Sequence, residues 1–355
     1  MRILITGAHG FVGQHVVQEL QDEHELITPS SRELNLVHPT ACSGVGGEVS
    51  VHYGYPIPPG YPQLAWTSEG VQPLMFYLWE HKVDAIVHLA ATCGGIGINK
   101  DNPGKFIYDN LQMGINVLEA ARLTGIKKVV NLGSVCAYPK FTPVPFEERE
   151  LWNGYPEETN APYGIAKKTI IEMSRAYHQQ YGLNVTNLLP ANMYGEYDNF
   201  DLYSSHVIPA LIKKFEDCYE QAEYHGDFDM ITKDGITLWG TGDASREFLY
   251  AGDLARAIAV SLDRNTGPEP INIGTGEEIS ISDLANLIKE VGGYEAKIHW
   301  DNSQPDGQPR RSLDITRAKN VLRWEPRVSL REGLSRVIDW YKDERENSQK
   351  SSESR

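Results

Sequence analysis

The chain has 355 residues, 41% hydrophobic and 23% charged, with a formal net charge of -15. That length suits one large α/β unit or two joined lobes, each with its own core. The charge argues against duplex nucleic acid or an anionic membrane as partner, since both demand a basic surface. No apolar run approaches bilayer length, and no charged segment followed by an apolar stretch and cleavage site reads as a secretory leader. Cys42, Cys93, Cys136 and Cys218 lack CxxC or zinc-ligand spacing, so a cytoplasmic chain with free thiols and no metal site is expected.

In chain order, residues 2–6 form a compact apolar strand that runs into a glycine turn, and a helical pattern follows over 12–21. A second strand is expected at 25–28. From 38 to 71 the sequence is rich in Gly, Pro, Tyr and Ser. A structureless loop of that length is uncommon inside a compact domain, so the stretch reads either as a small folded insertion or as a flap. Strands at 85–89, 129–132 and 185–188 then alternate with helices at 106–124 and 163–181. Continuous apolar strands alternating with helices imply a parallel sheet covered on both faces, a Rossmann-like doubly wound layout. Past about residue 195 the segments become longer and less regular. Helices are expected at 282–291 and 330–344, ahead of a polar, disordered tail at 345–355. The expected division is a dinucleotide-binding domain over 1–194, with a returning segment near 247–273, and a smaller C-terminal α/β substrate-binding lobe over 195–344.

The first turn, Thr6-Gly7-Ala8-His9-Gly10-Phe11-Val12-Gly13, places glycines at 7, 10 and 13 between strand and helix. A tight turn needs a residue without Cβ restriction, and a pyrophosphate needs close access to backbone N–H groups at a helix N-terminus. Its position directly after the opening strand is the context that makes the pattern informative. After the second strand comes Thr28-Pro29-Ser30-Ser31-Arg32-Glu33. Ser31 and Arg32 suit a ribose 2′-phosphate better than Glu33 suits a bare ribose, so NADP(H) is the expected cofactor.

The fourth strand leads into Gly133-Ser134-Val135-Cys136-Ala137-Tyr138-Pro139, and Tyr163 and Lys167 lie four apart on a predicted helix, hence on one face. A phenol titrates near pH 10 unperturbed, and a neighbouring ammonium would favour the phenolate. Tyr163 could then exchange a proton with a carbonyl or hydroxyl that Ser134 also holds. By spacing alone Cys136 reads as a buried structural cysteine and His206 as a satisfied histidine at a helix start.

Together these residues resemble the extended short-chain dehydrogenase/reductases, and more narrowly the GDP-L-fucose synthase family. The resemblance rests on Ser31-Arg32-Glu33-Leu34-Asn35-Leu36, Ala90-Ala91 through Gly94-Gly95-Ile96, Gly133 to Lys140, and Asp198-Asn199-Phe200. It continues through Ser205 to Leu211, Trp239-Gly240-Thr241-Gly242, Arg246-Glu247-Phe248 and Pro305-Asp306-Gly307, in order over nearly the whole chain. It implies catalytic roles for Ser134, Tyr163 and Lys167, and makes Cys136 and His206 the base and acid of an epimerisation. It implies NADP(H) contacts from Gly7, His9, Gly10, Phe11, Val12, Gly13, Ser31, Arg32, Leu89, Ala90, Ala91, Tyr163, Lys167, Pro190, Asn192, Met193 and His206. Substrate contacts fall on Asn192, Lys214, Trp239, Arg246 and Asp306. Family members usually carry arginine at the Lys214 position and a basic residue where His9 stands.

The activity so implied is C3/C5 epimerisation and C4 reduction of GDP-4-keto-6-deoxy-D-mannose to GDP-L-fucose. Alternatives are a C4-reductase of another GDP-4-keto sugar such as a GDP-heptose derivative, a GDP-mannose 3,5-epimerase-like enzyme, or a silent NADP-binding regulator. Against the family pattern, 38–71 is an insertion of roughly 30 residues, and a shorter expansion lies near 216–236. A homodimer through helices 106–124 and 163–181 is expected, as in the superfamily.

Overall fold

The computed structural model describes residues 1–37, 71–304 and 308–353. The first half alternates β1 (Arg2–Thr6), α1 (Phe11–Leu20), β2 (Glu25–Ile27), α2 (Gln72–Glu80), β3 (Ala85–His88), α3 (Ile96–Asp101), α4 (Pro103–Thr124), β4 (Lys128–Leu132), α5 (Ala161–Tyr181) and β5 (Val185–Pro190). Next come β6 (Asn192–Tyr194), α6 (Val207–His225), α7 (Asp229–Lys233), β7 (Ile236–Trp239), β8 (Ser245–Arg246), β9 (Phe248–Tyr250), α8 (Ala251–Leu262) and β10 (Ile271–Ile273). The chain closes with β11 (Ile279–Ser280), α9 (Ile281–Gly292), β12 (Ile298–Asp301), β13 (Arg310–Arg311) and α10 (Leu330–Glu353).

Six strands form one sheet in the order β10-β5-β4-β3-β1-β2, every neighbouring pair parallel. Side chains alternate across it with period two. Ile3, Ile5, Ala85, Val87 and Val130 join Val16 and Leu20 of α1 and Leu254 and Ile258 of α8 in one core. Leu4, Ile86, Val129 and Val185 join Leu74 and Leu78 of α2 and Val117 and Ala121 of α4 in another. Both faces are therefore dry, which is why these strands read as continuous apolar runs. Strand order reverses between β1 and β3, and in open α/β sheets that reversal opens a crevice at the carboxyl ends of the strands.

A separate core belongs to the smaller lobe. Ile212 and Phe215 of α6, Leu284 and Ile288 of α9, and Leu334 and Ile338 of α10 pack around Ile236 and Leu238 of β7. β7 pairs in parallel with β12, and β8 lies between β11 and β13. The expansion near 216–236 holds the end of α6 and all of α7. The segment returning from 248 to 273 supplies α8 and β10 to the large sheet and its cover.

The tail expected to be disordered over 345–355 is helical as far as Glu353, where α10 ends, and residues 354–355 lie outside the described residues. Arg345 staples α10 to α6: its Nη1 donates to Asp217 Oδ1 at 2.7 Å and its Nη2 to Glu220. A charged residue past position 344 thus has a fixed acidic partner far back in the sequence. Except for Val71, which is buried just ahead of α2, the insertion at 38–71 lies outside the described residues. No helix among the described residues is long and apolar enough to cross a membrane.

Candidate functional site

A cleft of about 1530 Å³ opens at the strand-order reversal and runs into the small lobe. Pockets for one small ligand usually measure about 300–1,000 Å³, so this one has room for a dinucleotide and a second ligand. Gly7, His9, Gly10, Phe11, Val12 and Gly13 line one end. A Cβ on Gly13 would stand 2.1 Å from the Gly7 carbonyl oxygen, so only glycine lets the turn lie against the start of α1. Gly10 caps α1, whose first turn holds no acid, leaving helix N–H groups and partial positive charge for an anion.

His9 lines the cleft with Nε2 bonded to the Thr28 carbonyl at 3.0 Å. Ser31 also lines it, whereas Arg32 is exposed beyond the lining residues. Leu89, Ala90 and Ala91 leave the end of β3 as one wall, and Pro190, Asn192 and Met193 form another. Asn192 is held by Nδ2 donating to the Glu247 carbonyl at 2.8 Å. Beneath them His88 is buried, with Nδ1 2.8 Å from Thr6 Oγ1. Burial, with repulsion from Lys167, brings its pKa down to about 3, so it stays neutral.

The chemistry-bearing group sits at the middle of the cleft. α5 meets the turn after β4 so closely that a Cβ on Gly164 would be 2.3 Å from the Cys136 carbonyl oxygen. That contact sets Tyr163 beside Ser134, whose hydroxyl acts to lower the phenol's pKa. Ser134 Oγ also accepts from Cys136 N at 3.1 Å. One helical turn further, Lys167 Nζ donates to the Leu132 carbonyl at 2.9 Å and lies 5.8 Å from the centre of the Tyr163 ring.

Burial raises the Tyr163 pKa well above its ordinary value, with the neighbouring Cys93 and Cys136 adding to it and Ser134 opposing. The shift runs opposite to the lowering expected from Lys167. Burial also brings Lys167 down to about 8. Tyr163 is therefore a protonated donor at neutral pH, the form needed to quench an alkoxide.

Cys136 and His206 line this same cleft from opposite lobes. The small lobe is tied on where Gly95 N donates to the Ser204 carbonyl at 3.0 Å. His206 follows as the residue capping α6, its side chain 47% exposed toward the cleft. Its Nδ1 stands 3.7 Å from Asp198 Oδ1. Burial works to lower its pKa, but Asp198 outweighs that and leaves it raised.

Further along, Lys214, Trp239 and Arg246 line the far end. Lys214 Nζ donates to the Thr237 carbonyl at 2.7 Å and lies 5.9 Å from the Trp239 ring centre. Trp239 is 67% exposed, a flat apolar wall free to receive a ring. Arg246 is positioned by Nη1 donating to the Ser245 carbonyl at 2.7 Å. Asp306 lies outside the described residues.

Three contributors were missed from sequence. Arg311 is 9% exposed and puts Nη1 3.7 Å from Cys136 Sγ, while Gln308 Oε1 holds its other nitrogens. Cys93 lines the cleft, its thiol pushed up by burial although Lys167 opposes the shift. Asp198 is the partner of His206. Asp198 and Cys93 had a signal, as parts of the Asp-Asn-Phe run and the Ala90 to Ile96 run; Arg311 follows the matched Pro-Asp-Gly run by four residues.

Residues 3–274 match the model of the NAD dependent epimerase/dehydratase family. The chain is 37% identical over 342 residues to GDP-L-fucose synthase 1 of Arabidopsis thaliana, covering 96% of this chain and 93% of that protein. It is 33% identical over 350 residues to GDP-L-colitose synthase of Yersinia pseudotuberculosis, covering 98% and 100%. Among solved structures, GDP-mannoheptose C4 reductase from Campylobacter jejuni with NADP bound is similar at a TM-score of 0.77 and 26% identity, over 96% of this chain and 98% of that one.

The close approach of α5 gives a direct check. Gly164→Ala forces a backbone shift and should cost about 1–3 kcal/mol of stability in urea unfolding. An unchanged midpoint would show that the contact is looser than described.

Proposed function

The chain belongs to the NAD dependent epimerase/dehydratase family, and from that premise we propose that it is an NADPH-dependent epimerase-reductase converting GDP-4-keto-6-deoxy-D-mannose to GDP-L-fucose. The observation that carries this reading is that Cys136 and His206 share one cleft with Ser134, Tyr163 and Lys167. Reduction of a ketone calls on the last three alone. A thiol and an imidazole reaching the same space from two lobes suit proton removal and return at carbons beside the ketone.

The glycine turn from Gly7 to Gly13 would receive the pyrophosphate of NADP(H), and Ser31 with the exposed Arg32 would take the adenosine 2′-phosphate. When bound, NADPH supplies the hydride. Hydrogens at C3 and C5 are acidic because the carbanion left behind spreads onto the C4 oxygen. Cys136 takes a proton from one face and His206 returns one to the other. Arg311 would offset the negative charge that the Cys136 thiolate carries before it takes the proton, a charge that passes to the substrate carbanion in the step. Ser134 and Tyr163 hold the C4 oxygen throughout, and Tyr163 gives it a proton as the hydride arrives. Trp239 backs the guanine or sugar, while Lys214 and Arg246 neutralise the diphosphate.

A second reading, C4 reduction of a GDP-heptose derivative without epimerisation, is favoured by the likeness to the C. jejuni reductase. Incubation with GDP-4-keto-6-deoxymannose and NADPH in heavy water separates the two. Deuterium at C3 and C5 with NADPH loss supports the first; NADPH loss without exchange supports the second; no turnover sinks both for this sugar. Cys136→Ser should reduce exchange more than hydride transfer. Tyr163→Phe should lower reduction by about 10²–10⁴-fold with NADPH affinity, read by fluorescence titration, unchanged.

The free thiols of Cys93, Cys136 and Cys218 fit a reducing compartment, in keeping with a cytoplasmic enzyme. The same reading makes the enzyme a homodimer through the surface of α4 and α5. Those helices pack side by side, Gly114 against Ile170, and leave Tyr108, Ile115 and Tyr181 exposed. Light scattering should give twice the 39.8 kDa chain mass; a monomer at micromolar concentration would contradict it.

A further inference from the structure

His206 faces solvent through the cleft, yet one carboxylate stands behind it. The Asp198 side chain is 4% exposed. Its Oδ1 accepts from Asn199 N at 2.7 Å and lies 3.7 Å from His206 Nδ1. Its Oδ2 is buried and has no hydrogen-bond partner among the described residues. A buried carboxylate with an unsatisfied oxygen is costly, and the nearby imidazole ring is the group able to offset it.

The chain is bent to put it there. Tyr197, just before Asp198, has φ +67, a backbone state that side-chain-bearing residues adopt only when the surroundings enforce it. The surroundings are specific. Gln18 of α1 donates to the Tyr197 hydroxyl at 3.0 Å, and the Tyr197 ring meets His15 and Trp340 edge-on at 5.6 and 5.4 Å. One residue earlier, the Glu196 carbonyl pairs with His15 Nε2 at 3.0 Å and its carboxylate accepts from the Tyr250 hydroxyl at 2.8 Å. Both lobes thus clamp residues 196–197, and the strained turn delivers Asp198 to the back of His206.

We propose that Asp198 is the positioning residue of the epimerisation, holding His206 Nδ1 so that the ring stays an imidazolium with Nε2–H directed at the sugar. This rests on the epimerase-reductase reading above. His206 gives its Nε2 proton to the carbanionic carbon, becomes neutral, and is reprotonated from water; Asp198 keeps its charge throughout. The same carboxylate makes the acid directional, since an imidazole anchored at Nδ1 has one nitrogen left for the substrate.

The other charged or titratable groups around the ring do not supply this. Cys93, Cys136, Tyr163 and Lys167 line the cleft from the large lobe, and Lys214 and Arg246 line its far end from the small one; Asp198 is the one charged group that acts on the His206 titration. His15, the other histidine near Asp198, has its pKa lowered, chiefly by burial, and remains neutral.

The experiment is a carbon–proton NMR titration of the histidine rings in the full-length protein, with His206→Gln assigning the His206 signal. In the wild type the His206 midpoint should lie above the ordinary value of about 6.5. Asp198→Asn should lower it by about one unit or more, and Asp198→Glu should restore part of the shift. In the heavy-water assay, the pH above which exchange is lost should fall with the midpoint, so that near pH 7.5 Asp198→Asn exchanges about tenfold more slowly. A wild-type midpoint at or below the ordinary value overturns the proposal even if Asp198→Asn does not fold. So does an Asp198→Asn protein with an unmoved midpoint. Absence of exchange by the wild type would instead defeat the functional reading, and the titration would still decide the Asp198–His206 pair.

Discussion

Helix α5 lies against the turn after β4 with no space for a side chain between them, since any Cβ at Gly164 would run into the Cys136 carbonyl. The site depends on that contact. It fixes Tyr163 against Ser134, and Lys167 is tied in turn to the Leu132 carbonyl at the end of β4. Four candidate site side chains, Ser134, Cys136, Tyr163 and Lys167, are thereby held by one strand end and one helix. His206 is brought in separately, through the bond between Gly95 and Ser204, so the two lobes contribute opposite faces of one cleft.

Burial and charge then divide the roles. Tyr163 is buried and its pKa rises, Lys167 is buried and falls to about 8, and His88 stays neutral. His206 goes the other way because Asp198 outweighs the effect of burial. Under the proposed reaction, a protonated phenol and an imidazole whose protonation Asp198 favours suit the reductive direction and the return of a proton to carbon. Arg311, beside the Cys136 sulfur, places positive charge where a proton would leave.

Much of this was legible in the residues. The large sheet showed because strands dry on both faces are continuously apolar, and the Tyr163–Lys167 pair because four residues make about one helical turn. Helix starts were read late. α4 begins at Pro103 and α5 at Ala161, each with proline in its first turn, where a missing N–H costs nothing. Pairings between lobes were hidden. Arg311 meets Cys136 across 175 positions and Arg345 meets Asp217 across 128, and no local period encodes such contacts. Arg345 therefore passed for part of a loose tail, and the partner of His206 went unrecognised inside a run noted only for its likeness.

The central claim is that proton exchange and reduction share one pocket but are separate acts of different side chains. The direct measurement is exchange without reduction: the wild-type enzyme with GDP-4-keto-6-deoxymannose in heavy water, NADP⁺ replacing NADPH, followed by NMR. Deuterium entering C3 and C5 while the C4 ketone survives is the predicted result. A ketone recovered without deuterium at either carbon would contradict the account.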